Sequence, residues 1–198
     1  RNQSKKNEWF QVYIFAGQFG SGKTTMARIV ALASNCKNKD ENGNPCLECE
    51  NCNTVLNHST TDITEIDGAS NTGIDSIREL KDSISYMPVS LSRKIYIIDE
   101  VHMLSKGAFN ALLKVLEEPP SYAIFVLCTT ELKAIPATVR SRAATYIFEQ
   151  IKYKDIFERL KKVSNERNLD ITEDALSVIA KNSQGAMRNA YSLLQQAT

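Results

Sequence analysis

Short apolar runs and longer amphipathic stretches alternate along the first three quarters of the chain. Val12–Ala16, Ile63–Asp67, Lys94–Asp99, Ile124–Cys128 and Ala144–Phe148 are brief and rich in β-branched or aromatic residues, and each reads as a strand. Between them, Thr24–Ser34 carries Met26, Ile29, Val30 and Ala33 at helical spacing. Ile74–Tyr86 does the same with Ile74, Ile77, Leu80 and Ile84. Ser105 is placed to cap a helix that runs to about Glu118, where Pro119 and Pro120 end it. Such alternation predicts an α/β domain with a mainly parallel sheet. After Gln150 only helical patterns remain, over about Tyr153–Arg167, Thr172–Asn182 and Ala186–Gln196. The expected division is therefore an α/β part, residues 1–150, and a helical part, residues 151–198.

Composition narrows the class without fixing it. The chain has 198 residues, 42% hydrophobic and 24% charged, which suffices for a packed core without disulfide staples. A formal net charge of +1 gives no overall field toward nucleic acid or membrane, though a local basic face is compatible with it. No apolar stretch approaches the roughly 18–20 residues that span a bilayer, so no membrane partner is expected. The polar start, Arg1–Glu8, lacks the apolar centre of a signal peptide. A cytoplasmic location is expected, where thiols stay reduced.

Chemistry enters at the end of the first strand. Gly17-Gln18-Phe19-Gly20-Ser21-Gly22-Lys23-Thr24 fits G-x-x-x-x-G-K-[ST], with a strand before it and a helix after. Gly17, Gly20, Ser21, Gly22 and Thr25 are expected to shape a loop whose N–H groups converge on phosphate oxygens. Lys23 would reach the β and γ phosphates, and the Thr24 hydroxyl would bind Mg²⁺. Asp99 and Glu100 close an apolar strand, as phosphoryl chemistry requires: Asp99 to hold Mg²⁺ and Glu100 to orient the attacking water.

A second constellation lies in the polar segment Asn35–Asn53. Cys36, Cys46, Cys49 and Cys52 contain two overlapping C-x-x-C steps, which suit a closed tetrahedral Zn²⁺ site of structural type. Asn42, Gly43, Asn44 and Pro45 supply a turn that returns Cys46 to Cys36. Cys128 reads as a small core residue, and neither His58 nor His102 has metal-ligand spacing.

The order of these elements resembles the gamma/tau family of bacterial DNA polymerase III, the ATPases of the sliding-clamp loader. The resemblance runs from about Val12 to Thr198. It rests on the P-loop, the cysteine module behind its helix, IDGASNT (66–72), IIDEVHMLS (97–105), FNALLKVLEEPP (109–120), Ser141-Arg142 and Gly185-Ala186-Met187-Arg188. It implies an AAA+ fold with a three-helix lid. It implies an ATP hydrolase inside the polymerase III holoenzyme, a nucleotidyltransferase complex, with ATP, Mg²⁺ and Zn²⁺ as cofactors. The implied partners are other loader subunits, the sliding clamp and primed DNA. Thr130 would be the strand-end sensor of the γ-phosphate, with Thr129 as the neighbouring candidate. Arg142 would be an arginine finger acting on a neighbour's ATP, and Arg188 the lid's sensor. The helix after IDGASNT, with Arg78, would face DNA, near Ser70, Asn71 and Thr72. Against the family pattern, Gln18 and Phe19 are unusual in the loop, Ala143 replaces a cysteine, Asn189 replaces an aspartate, and Asn71 and Gly73 stand where basic residues are frequent. With only eleven residues before the first strand, the chain reads as a fragment expected to bind nucleotide poorly by itself. The competing function is a non-hydrolysing structural subunit of the same assembly, which Lys23, Thr24, Asp99 and Glu100 argue against.

Overall fold

The computed structural model describes residues 2–70 and 74–198, and no side chain of residues 74–76. In chain order the elements are α1 (Asn2–Lys6), β1 (Val12–Gly17), α2 (Lys23–Asn35), α3 (Glu50–Leu56), β2 (Ile63–Asp67), α4 (Ile74–Ile84), β3 (Lys94–Asp99), α5 (Lys106–Glu117), β4 (Ala123–Thr129), α6 (Ala137–Arg140), β5 (Ala144–Phe148), α7 (Tyr153–Glu166), α8 (Glu173–Asn182) and α9 (Met187–Ala197). They form two compact units. One holds the chain up to Ala16 together with Thr24–Tyr146; the other holds Gly17–Lys23 and Ile147–Thr198.

The strands order as β2-β3-β4-β1-β5, and β1·β4, β2·β3 and β3·β4 are parallel. Register sets the carboxyl ends in a row: Ala16 pairs with Thr129, and Asp67 with Asp99. In a parallel sheet ligands sit beyond these carboxyl ends, where the strand order reverses. Here the reversal falls at β1, next to the edge strand β5, from which the chain crosses to the opposite edge at β2.

Alternation divides the core. Val12, Ile14, Tyr96, Ile98, Phe125 and Leu127 face one way and pack with Ile77, Leu80, Ile84, Ala108, Leu112 and Leu116 of α4 and α5. Tyr13, Phe15, Ile95, Ile97, Ile124, Val126 and Cys128 are buried on the other face. Each fully buried Leu or Ile contributes about 2 kcal/mol, so β3 and β4, buried along almost their whole length, are the rigid centre. β5 differs: Tyr146 and Ile147 are exposed, while Tyr146 stacks on Tyr13.

Two helix starts follow their sequence. Ser105 Oγ accepts the Ala108 N–H at 3.2 Å and begins α5. Thr172 Oγ1 accepts the Ala175 N–H at 3.3 Å and begins α8. The helical unit has its own core of Ile156, Leu160, Val163, Leu176, Ile179, Ala190 and Leu194.

The structure corrects the expected apolar face of α2. Met26 and Ile29 are 41% and 40% exposed, whereas Ala27, Val30 and Ala31 are buried. Small alanines bring a helix close to its neighbour, so the large residues on the adjacent stripe are left outside. The segment read only as polar, 35–53, runs into a helix, α3. Asn71, Thr72 and Gly73, expected near a DNA-facing surface, lie outside the described residues, as does the Ile74 side chain.

Candidate nucleotide and metal sites

Thr24, at the start of α2, and Asp99, the last residue of β3, meet through a hydrogen bond. The Thr24 hydroxyl donates to Asp99 Oδ2 at 2.6 Å. Two hard oxygens, one of them a carboxylate, suit Mg²⁺, which takes few protein ligands and fills its octahedron with water and substrate phosphate oxygens.

Glu100 follows with φ 45° and ψ 47°, a left-handed conformation that costs a non-glycine residue about 1–2 kcal/mol. The chain turns there straight from the strand into a 3-10 turn, Val101–Met103. Gly68 explains how this corner is held. Its N–H donates to Asp99 O at 2.8 Å, and a β-carbon on it would lie 2.6 Å from Glu100 O. The glycine of IDGASNT is thus required by close backbone approach.

The neighbouring strand end supplies Thr129, fully buried, and Thr130, exposed. Both hydroxyls reach His102: Thr129 Oγ1 lies 3.2 Å from Nδ1 and Thr130 Oγ1 3.4 Å from Nε2. Glu100 Oε2 stands 3.4 Å from Nδ1. Sequence reasoning missed His102, because a lone histidine has no spacing signal. Its place two residues after Glu100 was the available clue.

Arg142 lies elsewhere on the same unit. Its Nη1 donates to Glu117 O at 3.2 Å, against the carbonyl end of α5, where a cation suits the helix dipole. Thr25 is exposed on α2.

The other unit contains the phosphate loop itself. Gly20 and Gly22 have φ of 74° and 94°, a turn that side chains resist. Lys23 is buried, and its Nζ donates to Gly17 O at 3.0 Å and Gln18 O at 3.2 Å. Ser21 Oγ donates to Gln18 O at 2.7 Å. The two unusual loop residues both have partners late in the chain: Gln150 Nε2 donates to Gln18 Oε1 at 2.7 Å, and the guanidinium of Arg188, on α9, lies 4.6 Å from the centre of the Phe19 ring. Met187 N–H donates to Gly20 O at 3.3 Å.

The four cysteines converge. All their sulfurs lie within 4.8 Å of one another, with Cys36–Cys46 at 3.6 Å and Cys46–Cys52 at 4.0 Å. Sulfurs bound at about 2.3 Å around one zinc would stand about 3.8 Å apart, so the set could hold a tetrahedral metal ion. The turn before Cys46 is closed by Asp40, whose Oδ1 accepts the N–H groups of Asn42 at 2.9 Å and Asn44 at 2.7 Å. Cys46 N–H donates to Cys36 Sγ and Cys49 N–H to Cys46 Sγ, each at 3.3 Å. Burial pushes the Cys49 thiol up, but N–H groups of Lys37 and Cys52 and the neighbouring thiols outweigh it and bring it down to about 6. Cys52 is pushed the other way by burial and by Cys49. Cys128 is a buried core residue, away from this cluster.

Strand order, loop and strand-end acids define the class: a P-loop ATPase fold of the AAA+ type. A solved structure titled as the Thermotoga maritima RuvB Holliday junction branch migration motor superposes with a TM-score of 0.65 at 23% identity, over 96% of this chain and 55% of that one. A Thermotoga maritima DNA polymerase III gamma subunit-related protein gives 0.54 at 23%, over 93% and 57%. Residues 1–152 match the family described as DNA polymerase III, delta subunit, and residues 155–198 the DNA polymerase III clamp loader subunit, ATPase lid domain. The tau subunit of Bacillus subtilis DNA polymerase III is 45% identical over 100% of this chain and 35% of its own length. The gamma/tau subunit of Mycoplasma pneumoniae is 45% identical over 93% and 27%, and the tau subunit of Escherichia coli 39% over 93% and 29%. The chain belongs to the gamma/tau family of DNA polymerase III clamp-loader subunits, and spans about a third of the length of these three relatives. Among the described residues no helix is long and apolar enough to cross a membrane.

Proposed function

We propose that this chain is the ATP-hydrolysing part of a clamp-loader subunit, which couples ATP binding and hydrolysis to placing a sliding clamp on primed DNA. The observation that carries the reading is the 2.6 Å Thr24–Asp99 hydrogen bond with Glu100 beside it. It joins the P-loop helix to the acid strand in the arrangement that phosphoryl transfer needs. Residues 1–150 would form the nucleotide-binding subdomain and 151–198 the lid.

Lys23 and the Gly17–Gly22 N–H groups would hold the β and γ phosphates, while Thr24 and Asp99 hold Mg²⁺. The ion, when bound, neutralises charge on the phosphate oxygens. Glu100 orients water in line with the γ-phosphorus; the water oxygen bonds to phosphorus as the bridging oxygen–phosphorus bond breaks, leaving ADP and phosphate. Thr130 senses the γ-phosphate, and Arg188 senses nucleotide from the lid. Arg142 reaches a neighbouring subunit's ATP, where its planar cation stabilises charge growing in the transition state. Cys36, Cys46, Cys49 and Cys52 would hold Zn²⁺ with no open position, a structural site. Arg78 and Ser70 would meet DNA phosphates without reading bases.

Mixed assembly of the full-length subunit tests this reading. Lys23→Ala alone should lose nucleotide binding, and Arg142→Ala alone should keep binding and lose turnover. Complexes that place an Arg142→Ala subunit beside a Lys23→Ala subunit should regain activity at the mixed interface. Normal ATP binding by Lys23→Ala would contradict the phosphate assignment, and no rescue in well-assembled complexes would contradict the action of Arg142 in trans.

A further inference from the structure

We infer that the cysteine module is also a clasp for the chain's own N-terminal segment, residues 2–10, and that loading of its sulfurs sets where Trp9 lies. The inference rests on the metal reading of the four cysteines given above. It comes from contacts between that segment and the loop that joins Cys36 to Cys46. The hydroxyl of Ser4, a residue only 5% exposed, donates to Gly43 O. Lys39 Nζ donates to Ser4 O at 3.3 Å and to Asn7 Oδ1 at 3.0 Å. The same ammonium stands 5.3 Å from the centre of the Trp9 ring, within cation–π range. Trp9 Nε1 also donates to Asn7 Oδ1, at 3.1 Å, so one amide oxygen joins the indole to the lysine.

Little apolar burial holds this loop. Residues 37–45 read KNKDENGNP, with Pro45 as the only apolar side chain. Apolar packing therefore fixes the loop at its ends, where Cys36 and Cys46 join the cluster of Leu32, Val55 and Leu91. Within the loop, Asp40 N–H donates to Asn44 O at 3.1 Å and Gly43 N–H to Asp40 O at 2.9 Å. These bonds give the turn its shape but not its place. An ion pair from the loop to α3, Lys37 with Glu50 at 2.9 Å, is exposed on both sides and weak in water. With the sulfurs of Cys36 and Cys46 bound to one centre, the loop ends are pinned, and Gly43 O and Lys39 are presented to Ser4 and Trp9. With the sulfurs unloaded, the ends are free to part and both contacts are released together.

The segment has a second tie, which does not involve the loop. Tyr13, on β1, donates its hydroxyl to Gln3 Oε1 at 2.9 Å. Released from the loop, Gln3 stays bonded to the sheet while Asn7 and Trp9 lose Lys39. Trp9 is therefore the residue whose surroundings change most.

The chain has one tryptophan, Trp9, so its fluorescence follows the clasp directly. Removing Zn²⁺ from the loaded chain with a chelator should shift the Trp9 emission to longer wavelength, as the indole moves into water. The amides of residues 5–10 should then exchange about tenfold faster, and added Zn²⁺ should reverse both changes. Lys39→Ala leaves the four cysteines in place. It should keep one Zn²⁺ per chain, show the long-wavelength emission while loaded, and respond little further to the chelator. This variant decides the matter even where chelation unfolds more than the module, because its sulfurs stay loaded. Unchanged Trp9 emission and exchange after metal analysis has verified Zn²⁺ removal would overturn the clasp and leave the metal reading standing. Wild-type emission from Zn²⁺-loaded Lys39→Ala would overturn the clasp as well. A chain that takes up no Zn²⁺ would overturn both readings.

Discussion

Two regions of the molecule gather side chains from distant positions, and they do so by different means. In the cysteine module little apolar surface is available: Leu32, Val55 and Leu91 are buried there together with Cys36 and Cys52 themselves. The rest is turns, a short helix and sulfur–amide contacts. At the strand ends, by contrast, Asp99 and Thr129 are the last residues of β3 and β4 and Glu100 follows Asp99, and Ile95, Ile97, Ile98, Phe125, Val126 and Leu127 of those strands are fully buried. The sheet's packing dictates where those carboxylates and hydroxyls lie. The first region has little core of its own and a set of sulfurs that could hold an ion; the second is pre-formed by the core. A structural ion can supply folding free energy where a core is too small, while a catalytic constellation gains from a scaffold that does not move.

The sharpest way to break this contrast is to remove the sulfurs. Cys49→Ala, or a strong chelator, should abolish the hydrogen-exchange protection of residues 36–57 while leaving β1, β3 and β4 protected. Metal analysis of the intact protein should find one zinc per chain. No metal, with all thiols free and the module still protected, would mean that the small cluster is sufficient by itself.

A smaller effect is expected from the sheet side. Leu112→Ala leaves a cavity beneath β3 and β4 and should cost about 3 kcal/mol. Unlike the cysteine change it should lower the global melting temperature, with module and strand ends unfolding together. Retention of the cysteine module's protection after the sheet has melted would show two independent folding units.

Smaller again is the effect expected from a polar clasp at the start of β2. Asp62 precedes β2; it is 1% exposed, and its carboxylate accepts the N–H groups of Val89, Ser90 and Leu91 at 2.7–3.0 Å. Burial would push this carboxyl up, but those N–H groups and the Ser90 hydroxyl outweigh it and hold it below its usual value. A lowered carboxyl stabilises fully above the unfolded pKa of about 3.9 and loses that contribution as pH falls through the lower folded value. Asp62→Asn should cost about 2 kcal/mol at neutral pH and flatten the acid limb of the stability curve. An unchanged acid limb would show that Asp62 is not the group that titrates.

Much of this was legible in the sequence. β2 and β3 have the boundaries their apolar runs suggest, because polar residues flank both. The Ser105 cap was readable from residue type and position. The P-loop and cysteine spacing pointed to their chemistry before any geometry. What failed did so for physical reasons. α3 has the sequence ENCNTVL, with Val55 and Leu56 as its only large apolar residues, so its helical period is invisible. Its Asn51, buried and bonded to Asn35 O at 2.8 Å, anchors it through a polar contact that periodicity does not count. Met26 and Ile29 misled because apolar size was weighed and the closeness permitted by Ala27 and Ala31 was not. His102 and Gly68 matter only through neighbours brought by β3 and β4, and no local pattern carries that information.

The central claim is that Glu100 orients the water for hydrolysis on a pre-formed strand end. Glu100→Gln keeps the size and the left-handed corner and removes the negative charge. In the assembled full-length complex, ATP affinity and turnover should be measured together. The account predicts affinity within about twofold of wild type and turnover reduced at least about a hundredfold. Turnover at the wild-type rate would contradict it.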